Sequence, residues 1–393
     1  MAKYIAKRLL QILLVVFLYA SIVYFIFYLG PADPTARFIG NPDIPPEARQ
    51  KLAEQFGLNK PPHLQWLNYM RNMFIEFDLG RSLSSYPRPV WDFIITRWPR
   101  TIVLFVSAIL ISYYLGFSLG KFIAWRRGQL SDYLATITGV SLWTVFTPWW
   151  ALLLIWFFSF RLGIFPINQF LTPELWSGTG VDSQSIFIYM ILSGFLASLF
   201  LFLVYFLSKR LIVNRKLVRI VNYSAAGVTL IGVIVGWLVS GYGTFVGDIL
   251  WHMGVPIITL ATIQFGGSML LMRDSMLETI KEDYITTARA KGISDKQVRD
   301  KHAARTALLP LVTSFILAIP TALDGAMVIE IVFSWPGIGL TFLRAINTGD
   351  YPLAVGSYTF FGLIAITAHL VADIIYSFLD PRISYEEGAM KSG

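Results

Sequence analysis

The chain has 393 residues, of which 55% are apolar and 14% charged, with a net charge of +8, a mean hydropathy of +0.60 and no cysteine. A soluble domain carries about 25% charged residues, so this chain has too little polar surface to cover a globule of its size. Its apolar residues fall in blocks close to the ~20 residues that cross a bilayer core. The missing cysteine excludes disulfides, thiol catalysis and cysteine metal sites, and the four histidines (His63, His252, His302, His369) lie far apart without a metal motif. The basic excess collects beside the apolar blocks, which speaks for membrane flanks and against nucleic acid.

Residues 1–30 begin with Lys3, Lys7 and Arg8 and continue in an apolar run from Leu9 to Leu29. A secretory signal has an apolar region of about 7–15 residues and a small-residue cleavage site. This run is longer and ends at Gly30-Pro31, so it reads as a retained first span, 9–30. Residues 31–100 mix charges with prolines and contain PPEARQKLAEQFGL and LQWLNYMRNMFIEF. They read as a small extracytoplasmic cap with short amphipathic helices, its Trp66, Tyr69, Trp91 and Trp98 as interfacial anchors.

Further spans are expected at 101–122, 134–160, 186–207, 220–241, 251–272, 311–333 and 353–379, about eight in all. The predicted fold is therefore an all-α integral membrane protein. Its parts are core helices and an outer loop over 101–185, a hairpin over 186–241 and a second core segment over 242–393. With the N-terminus cytoplasmic, the short inner segments hold Lys121, Arg126 and Arg127, then Lys209, Arg210, Arg215, Lys216 and Arg219. The short outer loops hold only Arg161 and Arg344. This bias follows the positive-inside rule, and an even number of spans places both termini in the cytoplasm.

The longest inner loop, 273–310, is the most charged part of the chain. A helix is expected from Met276 to Lys291, then a left-handed cap at Gly292. Ser294 and Gln297 have the spacing of a capping box for a second helix. From these residues alone, the loop is either a helical knob facing the cytoplasm or an ordinary solvated connection.

The segment YITTARAKGIS…HAARTALLP resembles the signature loop of ABC-importer permeases in its oligopeptide/dipeptide form. Other blocks resemble the B-type subunit of that family, in the family's order. They include Phe77-Asp78-Leu79-Gly80-Arg81-Ser82, Arg97-x-Pro99-x-Thr101, and Met272-Arg273-x-Ser275-Met276-Leu277-Glu278. Val328-Ile329-Glu330-x-Val332-Phe333-x-x-Pro336-Gly337-Ile338-Gly339, Asp350-Tyr351-Pro352 and Leu379-Asp380-Pro381-Arg382-Ile383 follow. The general loop has Glu-Ala-Ala before its glycine; here Thr286, Thr287 and Ala288 stand there. Its closing proline is replaced by Arg305, with Pro310 five residues on.

The resemblance implies a permease subunit that forms half of a translocation pore in the plasma membrane of a prokaryote and performs no catalysis itself. It implies a second homologous permease, one or two cytoplasmic ATPase chains that use ATP and Mg, and an extracytoplasmic substrate-binding protein. It places the ATPase-docking surface on Thr286, Thr287, Ala288, Arg289, Ala290, Lys291, Gly292, Ile293 and Ser294. The family usually has six spans, so 186–241 reads as an added hairpin. The implied cargo is di- or oligopeptide, with oligosaccharide as the alternative.

No cofactor or metal is expected in this chain. The nearest phosphate-loop pattern, Gly116-Phe-Ser-Leu-Gly120-Lys121-Phe122, is one residue short and ends in Phe. Asp324, Glu330 and Asp373 fall in or near spans, where acids are costly. Each reads either as part of a path or as a structural pair. Trp335, Pro336 and Gly337 read as an outer gate element or as a plain turn. Two rivals are an ion-driven secondary transporter, which needs internal repeats, and an intramembrane enzyme, which needs convergent catalytic residues; neither signature is present.

Overall fold

A computed structural model describes residues 2–28 and 60–379, with side chains over 10–28, 60–318 and 327–371. The described residues are helical throughout their regular structure. The first span is α1 (Ala2–Tyr28), and the cap supplies α2 (Pro62–Arg71), which continues as a wider turn over Asn72–Glu76. Then come α3 (Val90–Trp125), α4 (Leu130–Thr144), α5 (Thr147–Leu154, widening over Ile155–Arg161) and the short α6 (Pro173–Trp176). The hairpin is α7 (Ser183–Leu211) and α8 (Arg215–Val239), followed by the long α9 (Gly243–Thr279). The inner loop holds α10 (Asp283–Ala290), the one-turn α11 (Asp295–Gln297) and a wide turn over Val298–Ala303. The chain closes with α12 (Ala304–Val332), α13 (Ile338–Thr348) and α14 (Tyr351–Leu379).

Six of these helices are long and apolar enough to cross a membrane among the described residues, or seven if the broken pair α4–α5 is one span. Eight were expected; the remaining one, 311–333, falls in α12, some of whose side chains lie outside the described residues. The expected span 134–160 is broken at Val145, which is extended. Pro148 explains the break: it has no N–H to give to the carbonyl of Thr144 four residues back. Residues 90–100, expected in the cap, belong to α3. Pro89 sits before the first turn, where a missing N–H costs nothing. PPEARQKLAEQFGL lies outside the described residues.

The chain forms two compact units, one of 1–150, 258–332 and 336–393, the other of 151–257 with 333–335. In the first, α3 packs on α9 and α12. A Cβ on Gly120 would stand 2.6 Å from the Met269 carbonyl oxygen and 2.7 Å from Met272 Cβ, and one on Gly116 would strike Ser268. The false phosphate loop is thus a small-xxx-small face that lets α3 approach α9 closely. Ser268 Oγ donates to the Ser112 carbonyl at 3.2 Å across this contact. Tyr113 and Ser314 share a 2.8 Å hydrogen bond between α3 and α12. Arg273 of α9 meets the buried Asp132 of α4 at 2.7 Å.

The four aromatics expected as interfacial anchors are half-buried, and each makes contacts within this unit. Trp66 lies against Phe17 and Phe25 and donates to Ser21 Oγ at 3.2 Å. Tyr69 donates to Thr359 at 3.3 Å. Trp91 donates to the Phe77 carbonyl at 2.5 Å, and the Trp91 and Trp98 rings meet Phe360 edge-on. Trp66 and Tyr69 of α2 thus meet α1 and α14, and Trp91 and Trp98 of α3 meet α14.

In the second unit, Asp182 caps α7 by accepting from the Gln184 and Ser185 amides, and Asn214 caps α8 through Lys216. Asp248 on α9 is buried and accepts from Thr172 N, Thr172 Oγ1 and Trp176 Nε1 at 2.9, 2.6 and 2.8 Å. His252 stands beside it, 3.5 Å from the carboxylate.

The close approach of α3 to α9 makes a direct prediction. Gly120→Leu overpacks that contact and lowers stability by roughly 1–3 kcal/mol. Gly194→Ala, in mid-helix with nothing within 4 Å of its added Cβ, does not lower it. Thermal unfolding of the detergent-solubilised protein reads both, and equal midpoints would contradict the packing.

Candidate functional site

The loop between α9 and α12 folds into a knob. α9 ends at Thr279, and a turn over residues 280–282 separates it from α10, so the helix expected from Met276 to Lys291 is two pieces. α10 has one apolar stripe: Ile285, fully buried, and Ala288 one turn later. Both pack into a cluster with Met272 and Met276 of α9, Val298, Ala303, Ala304, Ala307 and Leu311 around the start of α12, and Ala124 at the end of α3. Side chains three residues apart share a helix face. Ile285 and Ala288 thereby turn Thr286, Thr287, Arg289 and Ala290 outward, and all four are exposed.

Polar contacts fix the knob's rim. Tyr284 donates to Thr306 Oγ1 at 2.9 Å. The Arg289 guanidinium lies 5.1 Å over the Trp125 ring and 3.9 Å from Asp295. Asp300 receives Arg299 at 2.8 Å and Lys121 at 3.7 Å. Arg299 holds the Asp300 carboxyl below its ordinary range, chiefly by hydrogen bonding, and its own guanidinium is pushed up in return. Gly292 has φ +74°, the left-handed turn expected of it. The expected capping box is absent, because the Ser294 side chain makes no capping bond.

The nine residues of the expected docking surface are thus together but unequal. Thr286, Thr287, Arg289, Ala290, Lys291, Gly292 and Ser294 are exposed. Ala288 is buried and Ile293 half-buried, so these two anchor the knob to the helices behind it.

A second arrangement is built at the far ends of α3 and α12. Glu330 is fully buried. Its Oε1 accepts from Thr101 Oγ1 at 2.6 Å and its Oε2 from the Leu340 amide at 2.9 Å, while Thr101 Oγ1 accepts from the Ile338 amide at 3.1 Å. Leu340 and Ile338 are in the first turn of α13, whose own N-cap, Gly337, offers no side chain. Glu330 and Thr101 therefore cap α13 from outside, and the carboxylate sits at the positive end of the helix. Gly337 and Gly339 leave the space, since a Cβ on Gly337 would collide with the Glu330 carboxyl and Thr101. Arg97 donates to the Pro336 carbonyl at 3.4 Å.

Asp350 repeats the device. Buried to 1% exposure, it accepts from Ser82 Oγ, Ser84 Oγ, Leu83 N and Ser84 N at 2.5, 2.6, 3.0 and 3.0 Å. It also accepts from Leu353 N at 3.2 Å in the first turn of α14. The sequence reading named Glu330 and the three blocks that hold Ser82, Thr101 and Asp350 but missed these residues as a set; their only signal was membership of those blocks. Trp335 is fully buried in the second unit, 5.0 Å from the Phe170 ring, next to Ser334 with φ +50°. Asp324 lies in α12 and Asp373 in α14, but their side chains are outside the described residues. Among the described residues no group of three His, Asp or Glu side chains could hold a metal ion.

Two family models cover the chain. Residues 1–105 match the N-terminal part of a binding-protein-dependent transport system membrane component, and residues 112–385 match the binding-protein-dependent transport system inner membrane component. The chain is 30% identical to the di/tripeptide transport system permease protein DppB of Pseudomonas aeruginosa, over 98% of this chain and 100% of that one. It is 28% identical to the oligopeptide transport system permease protein AppB of Bacillus subtilis, with the same coverage. The dipeptide transport system permease protein DppB of Escherichia coli matches at 29%, again over 98% and 100% of the two chains. This chain belongs to the binding-protein-dependent transport system inner membrane components, the permease subunits of ABC importers, and is a transport subunit and not an enzyme.

Proposed function

We propose that this chain is one of two permease subunits of an ATP-driven importer of di- or oligopeptides in a prokaryotic plasma membrane, with both termini cytoplasmic. The full-length similarity to proteins named as peptide permeases supports the cargo. The observation that carries the mechanism is the knob: an outward face of small residues flanked by Arg289 and Lys291, on an anchored helix, is suited to a groove in a partner protein. That partner is a separate ATPase chain, which uses ATP and Mg. Thr286, Thr287, Arg289, Ala290, Lys291, Gly292 and Ser294 contact it, while Ala288 and Ile293 transmit the push inward.

The knob moves with α3, α9 and α12 because all three share its apolar cluster. ATPase closure then displaces those helices as a body, a shear or rocking movement of packed elements. An extracytoplasmic binding protein delivers peptide from the other side. Glu330, Pro336 and Gly337 belong to the outer frame that this movement carries, and the capping bonds support a structural role for Glu330. Asp324, deeper in α12, is the acid assigned to the translocation path.

The reading is tested by reconstituting the copurified complex in liposomes. Labelled dipeptide should accumulate only with ATP and the binding protein; accumulation driven by an ion gradient without ATP would refute it. Thr287→Trp with Ala290→Trp should weaken ATPase association on the order of tenfold or more without changing the permease's own melting temperature. Ala288→Trp should lower both. Unaltered association in the exposed-face variant would move the docking surface elsewhere.

Glu330→Ala leaves buried donors unsatisfied and should cost about 1–3 kcal/mol, seen as a lower melting temperature, whereas Glu330→Gln should keep the fold and most uptake. Loss of uptake in Glu330→Gln at unchanged stability would instead make Glu330 a path residue. Asp324→Asn should reduce uptake while the complex still assembles, and normal uptake would remove Asp324 from the path.

A further inference from the structure

We propose that the α7–α8 hairpin is a binding site for an anionic phospholipid, with the phosphate on Arg215 and Arg219 and an acyl chain in the groove that begins at Ala226, about 10 Å further along α8. The groove lies between α7, α8 and the start of α9 within the second unit and has a volume of about 620 Å³. Ala197, Leu201, Ala226, Leu230, Val233 and Trp237 are among its lining residues. α8 has no buried residue along its length, so the described chain leaves this face uncovered.

Arg215, Lys216 and Arg219 lie in the first turns of α8, which starts at Arg215. At 3.6 residues per turn, Arg219 is two turns and Arg215 three turns before Ala226, so both return to the face that lines the groove. Between them and the groove, Ser208 Oγ donates to Asn222 Oδ1 at 3.0 Å, which marks the change from polar to apolar surface.

Charge selects the occupant. Residues 209–219 carry five cations, Lys209, Arg210, Arg215, Lys216 and Arg219, and no acid. None of them takes part in the ion pairs found among the described residues. Guanidinium matches phosphate oxygens with two parallel donors, and basic clusters at the ends of spans attract anionic headgroups. An apolar partner helix fills the groove but leaves the cations unanswered; a phosphodiester with acyl chains answers both. The position at one end of the hairpin fits a headgroup layer, and the apolar groove beyond it fits the hydrocarbon.

The test uses the full complex extracted in mild detergent, with retained lipid counted by native mass spectrometry against phosphatidylglycerol, cardiolipin and phosphatidylethanolamine standards. Wild-type complex should retain the anionic lipids over phosphatidylethanolamine. Arg215→Gln with Arg219→Gln, and separately Ala226→Trp, should lower that retention at least fivefold. Lys209→Gln, off the groove face, should change it less than twofold. Should the glutamine pair fail to assemble, Arg215→Lys with Arg219→Lys replaces it and should lower retention by a smaller factor while keeping the preference for anionic lipid. Equal retention of zwitterionic and anionic lipid, retention unchanged by all the arginine and groove variants, or a protein chain cross-linked into the groove in native membranes would each overturn the proposal.

Discussion

The structure depends on α3, because both ends of the first unit are mounted on it. At one end Lys121, Ala124 and Trp125 meet the knob; at the other Thr101 completes the cap on α13. Thr101 and Ala124 are roughly 35 Å apart along a helix rising 1.5 Å per residue. α12 runs the same course, with Ala304, Ala307 and Leu311 in the knob's cluster and Glu330 at the far end. The hydrogen bond between Tyr113 and Ser314 ties the two helices between those ends. Two helices packed along their length are stiffer than either alone, and a push at the knob is carried only if they do not slide.

The membrane imposes the second constraint. Hydrocarbon offers no water to an unpaired polar group, so each must be answered by the chain. Glu330 and Asp350 are answered by helix N-termini and hydroxyls, and Asp132 by Arg273. These carboxylates in turn satisfy amide donors that the starts of α13 and α14 leave open. The same bonds join segments distant in sequence: Thr101 to Glu330 across 229 residues and Ser82 to Asp350 across 268. The outer frame is held by these joints together with the aromatic packing of the cap.

The helical class and most span positions were legible because apolar blocks of bilayer length are a strong signal. The left-handed turn at Gly292 was legible from the loop pattern, whereas the choice of Thr286 to Ser294 rested on the resemblance. The break between α9 and α10 was not, since Ile280 to Glu282 are ordinary helix formers and only packing of Ile285 and Ala288 against Met272 and Val298 decides the turn. Gly116 and Gly120 were read only as a failed phosphate loop, because their role depends on which helix lies opposite. Glu330 carried two readings for the same reason: its partners Thr101 and Leu340 are fixed by tertiary structure.

The most direct test of this account is whether knob and outer frame move as one body. The chain has no cysteine, so spin labels can be placed singly at Lys301→Cys, exposed on the knob but outside the docking surface, and Thr348→Cys on α13. Pulsed electron paramagnetic resonance then measures the distance between them in the assembled complex, with and without ATP. A single narrow distribution that is the same in both states is predicted. A distance that shifts or broadens on adding ATP would show that the push is lost between the knob and the outer frame, and would contradict the lever.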